Sequence, residues 1–97
     1  MTVPIRRLVV DLLKPHEPDL VAVAEAVAES RGVDGVNAVL VETDREVQNC
    51  KLTVVGDGVD PTAVEETVDR LGGTVHSIDE VVCGEAMVEQ SPTPQDR

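Results

Sequence analysis

An aspartate stands inside the longest apolar run of the chain. In Arg6-Arg7-Leu8-Val9-Val10-Asp11-Leu12-Leu13-Lys14, Asp11 is the one acid. A carboxylate removed from water is costly unless a cation, a metal ion or hydrogen-bond donors meet it. A second acidic feature, Asp79-Glu80, follows Ser77 in another apolar stretch. Clustered carboxylate oxygens suit hard cations such as calcium or magnesium. No EF-hand spacing accompanies these acids, but symmetry can gather acids from neighbouring subunits into one site. His16 and His76 add imidazole nitrogens, which zinc or nickel would favour. Two histidines without a nearby cysteine pair are too few for a zinc site, so zinc ranks behind calcium or magnesium. The metal candidates are therefore Asp11, Asp79 and Glu80, with His16 in support. The structural alternative pairs Asp11 or Asp79 with Arg7 or Lys51, and leaves His16 as a polar loop residue.

Other chemistries lack their parts. Gly56-Asp57-Gly58 has no following lysine and does not read as a phosphate-cradling loop. Ser77 lacks a nucleophile elbow, and alternation along a strand turns the adjacent His76 to the opposite face. An enzyme reading would use His76 and Asp79 as proton-transfer groups in a pocket between subunits. With no catalytic set in view, the sequence leans away from an enzyme. A third reading is a structural or regulatory protein that binds a partner through an exposed edge strand.

The elements that position these residues alternate plainly. The run at Arg6–Lys14 predicts a central strand, with Leu8, Val10 and Leu12 on one face and Arg7, Val9, Asp11 and Leu13 on the other. Both sets are largely apolar, which predicts that both faces avoid water. Pro15 and Pro18 end the strand, and Asp19 opens a helix running to about Arg31. Its buried stripe is Leu20, Val23, Ala24 and Val27, and Gly32 stops it. Strands follow at Val36–Asp44 and Gln48–Val55, joined by a short polar turn. Asp60-Pro61 starts a second helix with Val64, Val68 and Leu71 inward, ended by Gly72-Gly73. The last strand runs from Thr74 to about Cys83. If Leu13 faces Val75, then Asp11 faces Ser77 and Val9 faces Asp79; a one-residue slip would change every partner.

The order strand, helix, strand, strand, helix, strand is the ferredoxin-like βαββαβ plan, an α+β two-layer sandwich. Right-handed crossovers and the hairpin fix an antiparallel sheet of order 4-1-3-2. Residues 1–85 are expected to form this domain and residues 86–97 a disordered, polar and acidic tail. Two helices cover one sheet face only. Another copy of the chain is the expected cover for the second, which predicts a homo-oligomer.

Composition narrows the partners. The 97 residues carry 19 acids against 8 bases, for a net charge of −11. Such a surface repels nucleic-acid phosphates. The chain also lacks Phe, Trp and Tyr, the stacking residues of RNA-binding relatives of this topology. The acid-rich, lysine-poor surface resembles those of salt-adapted archaeal proteins, since concentrated salt screens its self-repulsion. No run approaches the roughly 20 apolar residues of a membrane span, and no signal-peptide pattern is present, so a cytoplasmic protein is expected. Cys50 and Cys83 form no CxxC; both are expected to be small buried hydrophobes.

Several motifs occur together in order: Pro4-Ile5-Arg6-Arg7-Leu8-Val9-Val10-Asp11-Leu12-Leu13-Lys14-Pro15-His16, Gly32-Val33-Asp34-Gly35-Val36-Asn37, Asn49-Cys50-Lys51-Leu52-Thr53 and Ile78-Asp79-Glu80-Val81-Val82. Across about residues 3 to 85 the chain resembles the archaeal domain-of-unknown-function family 211. That resemblance implies a ferredoxin-like fold, ring-like homo-oligomers and, in some members, bound metal ions. It implies no settled activity. Metallochaperones of the same outline carry CxxC in the first loop, where this chain has Lys14-Pro15-His16-Glu17-Pro18-Asp19.

Overall fold

A computed structural model describes residues 3–89. The elements are β1 (Ile5–Pro15), α1 (Leu20–Ala28), β2 (Val33–Thr43), β3 (Val47–Gly56), α2 (Pro61–Arg70) and β4 (Thr74–Cys83). The four strands form one antiparallel sheet in the order β2-β3-β1-β4, the expected 4-1-3-2 read from the other edge. This is the ferredoxin-like α+β sandwich. Among the described residues no helix is long and apolar enough to cross a membrane.

The core lies between the helices and one sheet face. Leu8, Val10 and Leu12 of β1 and Cys50, Leu52 and Val54 of β3 meet Val23 and Val27 of α1 and Val64 and Val68 of α2. These strand residues pair directly: Leu8 faces Val54, Val10 faces Leu52 and Leu12 faces Cys50. Opposed side chains share a face, so alternation on two neighbouring strands builds one continuous apolar floor. Lys14 falls on the same alternation and is buried. Its ammonium bonds to Gln48 Oε1 at 2.7 Å and Pro15 O at 2.8 Å, which replaces the water it has lost.

Local signals set the helix starts. Asp19 accepts from Ala22 N at 2.9 Å, and Asp60 accepts from Thr62 N at 3.0 Å with Pro61 in the first helical position. The first helix ends earlier than expected, at Ala28. Glu29 N and Ser30 N turn back to Ala26 O and Val27 O, a tighter winding that uses up the chain before Gly32. Strand β2 correspondingly begins at Val33, because its pairing continues through Gly35 as far as Gly56.

That junction is a close crossing of backbones. A side chain on Gly56 would occupy the place of the Gly32 carbonyl, and one on Gly32, at φ +82°, the place of the Gly58 carbonyl. Gly56→Ala is therefore expected to destabilise the fold by about 2 kcal/mol. Gly35→Ala, which meets Val55 at an ordinary 3.6 Å, should stay within about 0.5 kcal/mol of the parent. Urea denaturation of the two variants checks the contrast.

The last strand departs from simple alternation. Val9 faces Glu80, Val10 faces Ile78, Asp11 faces Ser77 and Leu12 faces Val75. Asp79 and His76 are thus extra residues, each the centre of a β-bulge. The expected Asp11–Ser77 pairing holds, whereas Val9 meets Glu80 and Leu13 meets Thr74. A third irregularity makes Arg6 the extra residue on β1, between Ile5 facing Cys83 and Arg7 facing Val82. Beyond β4, Gly84 to Glu89 carries no regular secondary structure, and residues 90–97 of the expected tail lie outside the described residues.

The second sheet face is more mixed than the apolar run of β1 suggests. Val9 is buried and Leu13 half-buried there. Arg7 and Asp11 alternate with them, and across the ladder stand Asn49, Lys51 and Thr53. On the covered face Leu40 of β2 and Ile78 and Val81 of β4 remain exposed at the sheet edges, and Val39, opposite Lys51, is exposed on the open face beside Val41.

Candidate functional site

Two hollows divide the open sheet face. One, of about 620 Å³, lies toward the start of β1 and is lined by Arg7, Val9, Lys51 and Thr53 with Asp79, Glu80 and Glu89. The other, of about 310 Å³, lies toward the end of β1 and is lined by Asp11, Leu13, Asn49 and His76 with part of the β2–β3 hairpin. The β4 bulges fill both. At each bulge two successive side chains turn to one side, so Asp79 and Glu80 enter the first hollow together. His76 enters the second, beside Asp11, and not the opposite face that strict alternation predicts.

Asp11 has a counterpart, but not the expected cation. Asn49 Nδ2 donates to Asp11 Oδ1 at 2.6 Å and also reaches Leu12 O at 3.1 Å. Lys51 faces Asp11 on β3. Asp79 Oδ1 accepts from Ser77 Oγ at 2.8 Å. Among the described residues neither aspartate forms an ion pair. Arg7 takes the acids instead: its Nε lies 3.0 Å from Glu80 Oε1, and its two terminal nitrogens each donate to Glu89 at 3.2 Å. The Nε–H is buried and points off the Glu80 oxygen, so it has no aligned acceptor. The bonded Glu89 carboxylate raises the Arg7 pKa against the effect of desolvation, and Glu80 adds to the rise.

The four metal candidates divide among three places. Asp79 and Glu80 share the first hollow, Asp11 lies in the second, and His16 sits outside both. His16 Nε2 is 2.7 Å from Asp44 O, in a hollow formed by the β2–β3 turn. Among the described residues no three His, Cys, Asp or Glu side chains of one protomer converge on a point. Of the metal candidates only Asp79 and Glu80 share a hollow, and two carboxylates fall short of the roughly six oxygens that calcium or magnesium takes. His76 and Asp79, the expected proton-transfer pair, line different hollows within one protomer.

Sequence reasoning missed Asn49, Arg7 and Glu89 in these roles. Asn49 was visible as an amide on the polar phase of β3, two positions before Lys51, with donors that a neighbouring carboxylate could accept. Arg7 was visible as a cation on the open face, but its partner Glu89 lies in the segment read as tail.

The turn near His16 has its own electrostatics. Asp44 Oδ1 accepts from Val47 N and Glu46 N, both at 2.9 Å. The Val47 bond, then the Glu46 bond, hold the carboxyl below its usual pKa. The cysteines differ from each other. Cys50 is buried in the core as expected, and burial pushes its thiol pKa up. Cys83 is exposed, against expectation, because it ends β4 at the sheet edge.

The chain belongs to the family described as uncharacterised ArCR, DUF211, whose model matches residues 6–97. It is 46% identical over 93 residues to the uncharacterised protein MJ0319 of Methanocaldococcus jannaschii, covering 96% of each chain.

Two outcomes follow from the groups described above. A depressed carboxyl pKa stabilises the fold above the unfolded value of about 3.9 and ceases to do so as pH falls through the folded pKa. The protection factor of the Val47 amide, its exchange rate relative to the free peptide at the same pH, should therefore fall as acid protonates Asp44, and Asp44→Ala should show low protection already at neutral pH. A thiol reagent on native protein at pH 8 should label Cys83 and spare Cys50 until denaturant is added.

Proposed function

We propose that this protein is an oligomeric, non-enzymatic binding module that holds a hard divalent cation or a small polar ligand where acidic surfaces of adjoining copies meet. The observation that carries this reading is the bulge at Asp79. It turns two neighbouring carboxylates onto the open face beside an edge strand with free backbone groups. Each carboxylate has one oxygen engaged, by Ser77 or by Arg7, and one left for a ligand. Calcium and magnesium take such oxygens and complete their shells from several sources. The exposed Val39, Leu40 and Val41 on one edge and Ile78 and Val81 on the other support association through the sheet. Asp11 and His16 would support the site from a neighbouring copy. A net charge of −11 suits work in a salty cytoplasm, where screening lets such acidic surfaces approach.

Native mass spectrometry and elemental analysis at molar salt should find an assembly of several copies carrying calcium or magnesium. Asp79→Asn with Glu80→Gln should lose most of the metal. A metal-free monomer under the same conditions overturns the reading.

A further inference from the structure

The first hollow contains a fork that already grips a carboxylate. Arg7 projects from the central strand with its side chain 15% exposed. Glu80 flanks the guanidinium at Nε, and the opposite edge, formed by the two terminal nitrogens, holds both oxygens of Glu89 at 3.2 Å. This two-point contact is the geometry by which arginine recognises a planar carboxylate. The two sides differ in their tenure. Glu80 is part of β4 and paired opposite Val9. Glu89 is 75% exposed and stands on a segment without regular structure.

The hollow sets two bases, Arg7 and Lys51, against the carboxylates of Asp79, Glu80 and Glu89, and the strand-borne side chains between the bases suit a short organic anion. Val9 forms an aliphatic floor, and Thr53, directly opposite it on β3, supplies a hydroxyl. Lys51 reaches the same hollow from the far side and forms no ion pair among the described residues. Arg7 and Lys51 therefore bracket the Val9–Thr53 pair. The buried Nε–H of Arg7 without an aligned acceptor shows that the two glutamates do not use up its donors.

We propose that this hollow is a binding site for a small carboxylate, and that Glu89 is its built-in occupant. The ligand carboxylate takes the place of Glu89 in the Arg7 fork, its short carbon stem lies on Val9, and a second carboxylate, where present, meets Lys51. Glu89 then acts as a tethered competitor that keeps the fork filled until the ligand arrives. No bond is made or broken covalently. The site does not rest on the cation reading above, since it uses the bases of the face and needs neither Asp79 nor a second copy.

Exposed carboxylate–arginine pairs are weak, so Glu89 fills the fork without closing it firmly. Removing the competitor raises the competent fraction, and the apparent affinity rises in proportion. Succinate is the probe, titrated into the full-length protein and read by amide and Arg7 Nε–H resonances. Glu89→Gln should bind succinate about threefold to sixfold more tightly than the parent. Shifts should centre on Val9, Thr53 and Arg7. Arg7→Lys in the Glu89→Gln background keeps the charge but removes the fork, and should lose at least that gain; Lys51→Gln should weaken succinate more than acetate. Equal affinity of parent and Glu89→Gln, or shifts scattered away from Val9 and Thr53, overturns the proposal. Loss of metal from Asp79→Asn alone, a residue with no contact to Arg7, with succinate binding intact would separate the two readings.

Discussion

Strand β1 has to satisfy two environments at once. Its even-numbered side chains from Leu8 to Leu12 meet the helices in a dry core, and its odd-numbered ones from Arg7 to Leu13 look onto a face with no helix. A buried core of Val and Leu without aromatics gains its stability from many small contacts. That places the burden on the β1–β3 pairing, where three apolar pairs lie in register. The open side could not be built in the same way. There Val9 and Leu13 alternate with Arg7 and Asp11, and each charged group is met locally: Asp11 by the Asn49 amide, Arg7 by Glu80 and Glu89.

The acidity of the chain is handled within this plan rather than spread evenly. Capping uses Asp19 and Asp60, where helix N–H groups need acceptors, and Asp44 does the same for a hairpin turn. Arg6 is similarly engaged as the extra residue of β1: its Nε donates to Gly84 O at 2.7 Å and it pairs with Asp57. With Arg7 on Glu89, the two neighbouring arginines hold the segment after β4 against the sheet from both faces. Few bases are present, and these two are spent where the chain would otherwise leave the domain.

The fold was legible because its signals are local and repeat. Alternation in β1 and β3, the acid-proline starts at Asp19 and Asp60, and the glycines after each helix gave the elements in order, and chirality gave the sheet. Helix α1 stops at Ala28, short of the expected Arg31, because tightening there depends on where β2 begins to pair. The site was legible only in its ingredients. Asp11, Asp79 and Glu80 were visible as acids among apolar residues, but a bulge leaves no mark in a strand's composition. The extra residues His76 and Asp79 changed which side chains share a hollow, and so split the acids that simple alternation had joined. Glu89 was out of reach for a different reason: its place depends on a contact with a residue 82 positions earlier.

The irregular register of β4 also governs how far growth along that edge can go. A straight border of unpaired amides can template identical strands without limit, which is how fibrils begin. Two interruptions at His76 and Asp79 increase the local coil of the ribbon and break the even spacing of its free amides. A strand laid against it would find matching partners over only a few residues before the two paths diverge. The exposed Ile78 and Val81 of the border thus sit on a ribbon where a flat, endless stack is disfavoured.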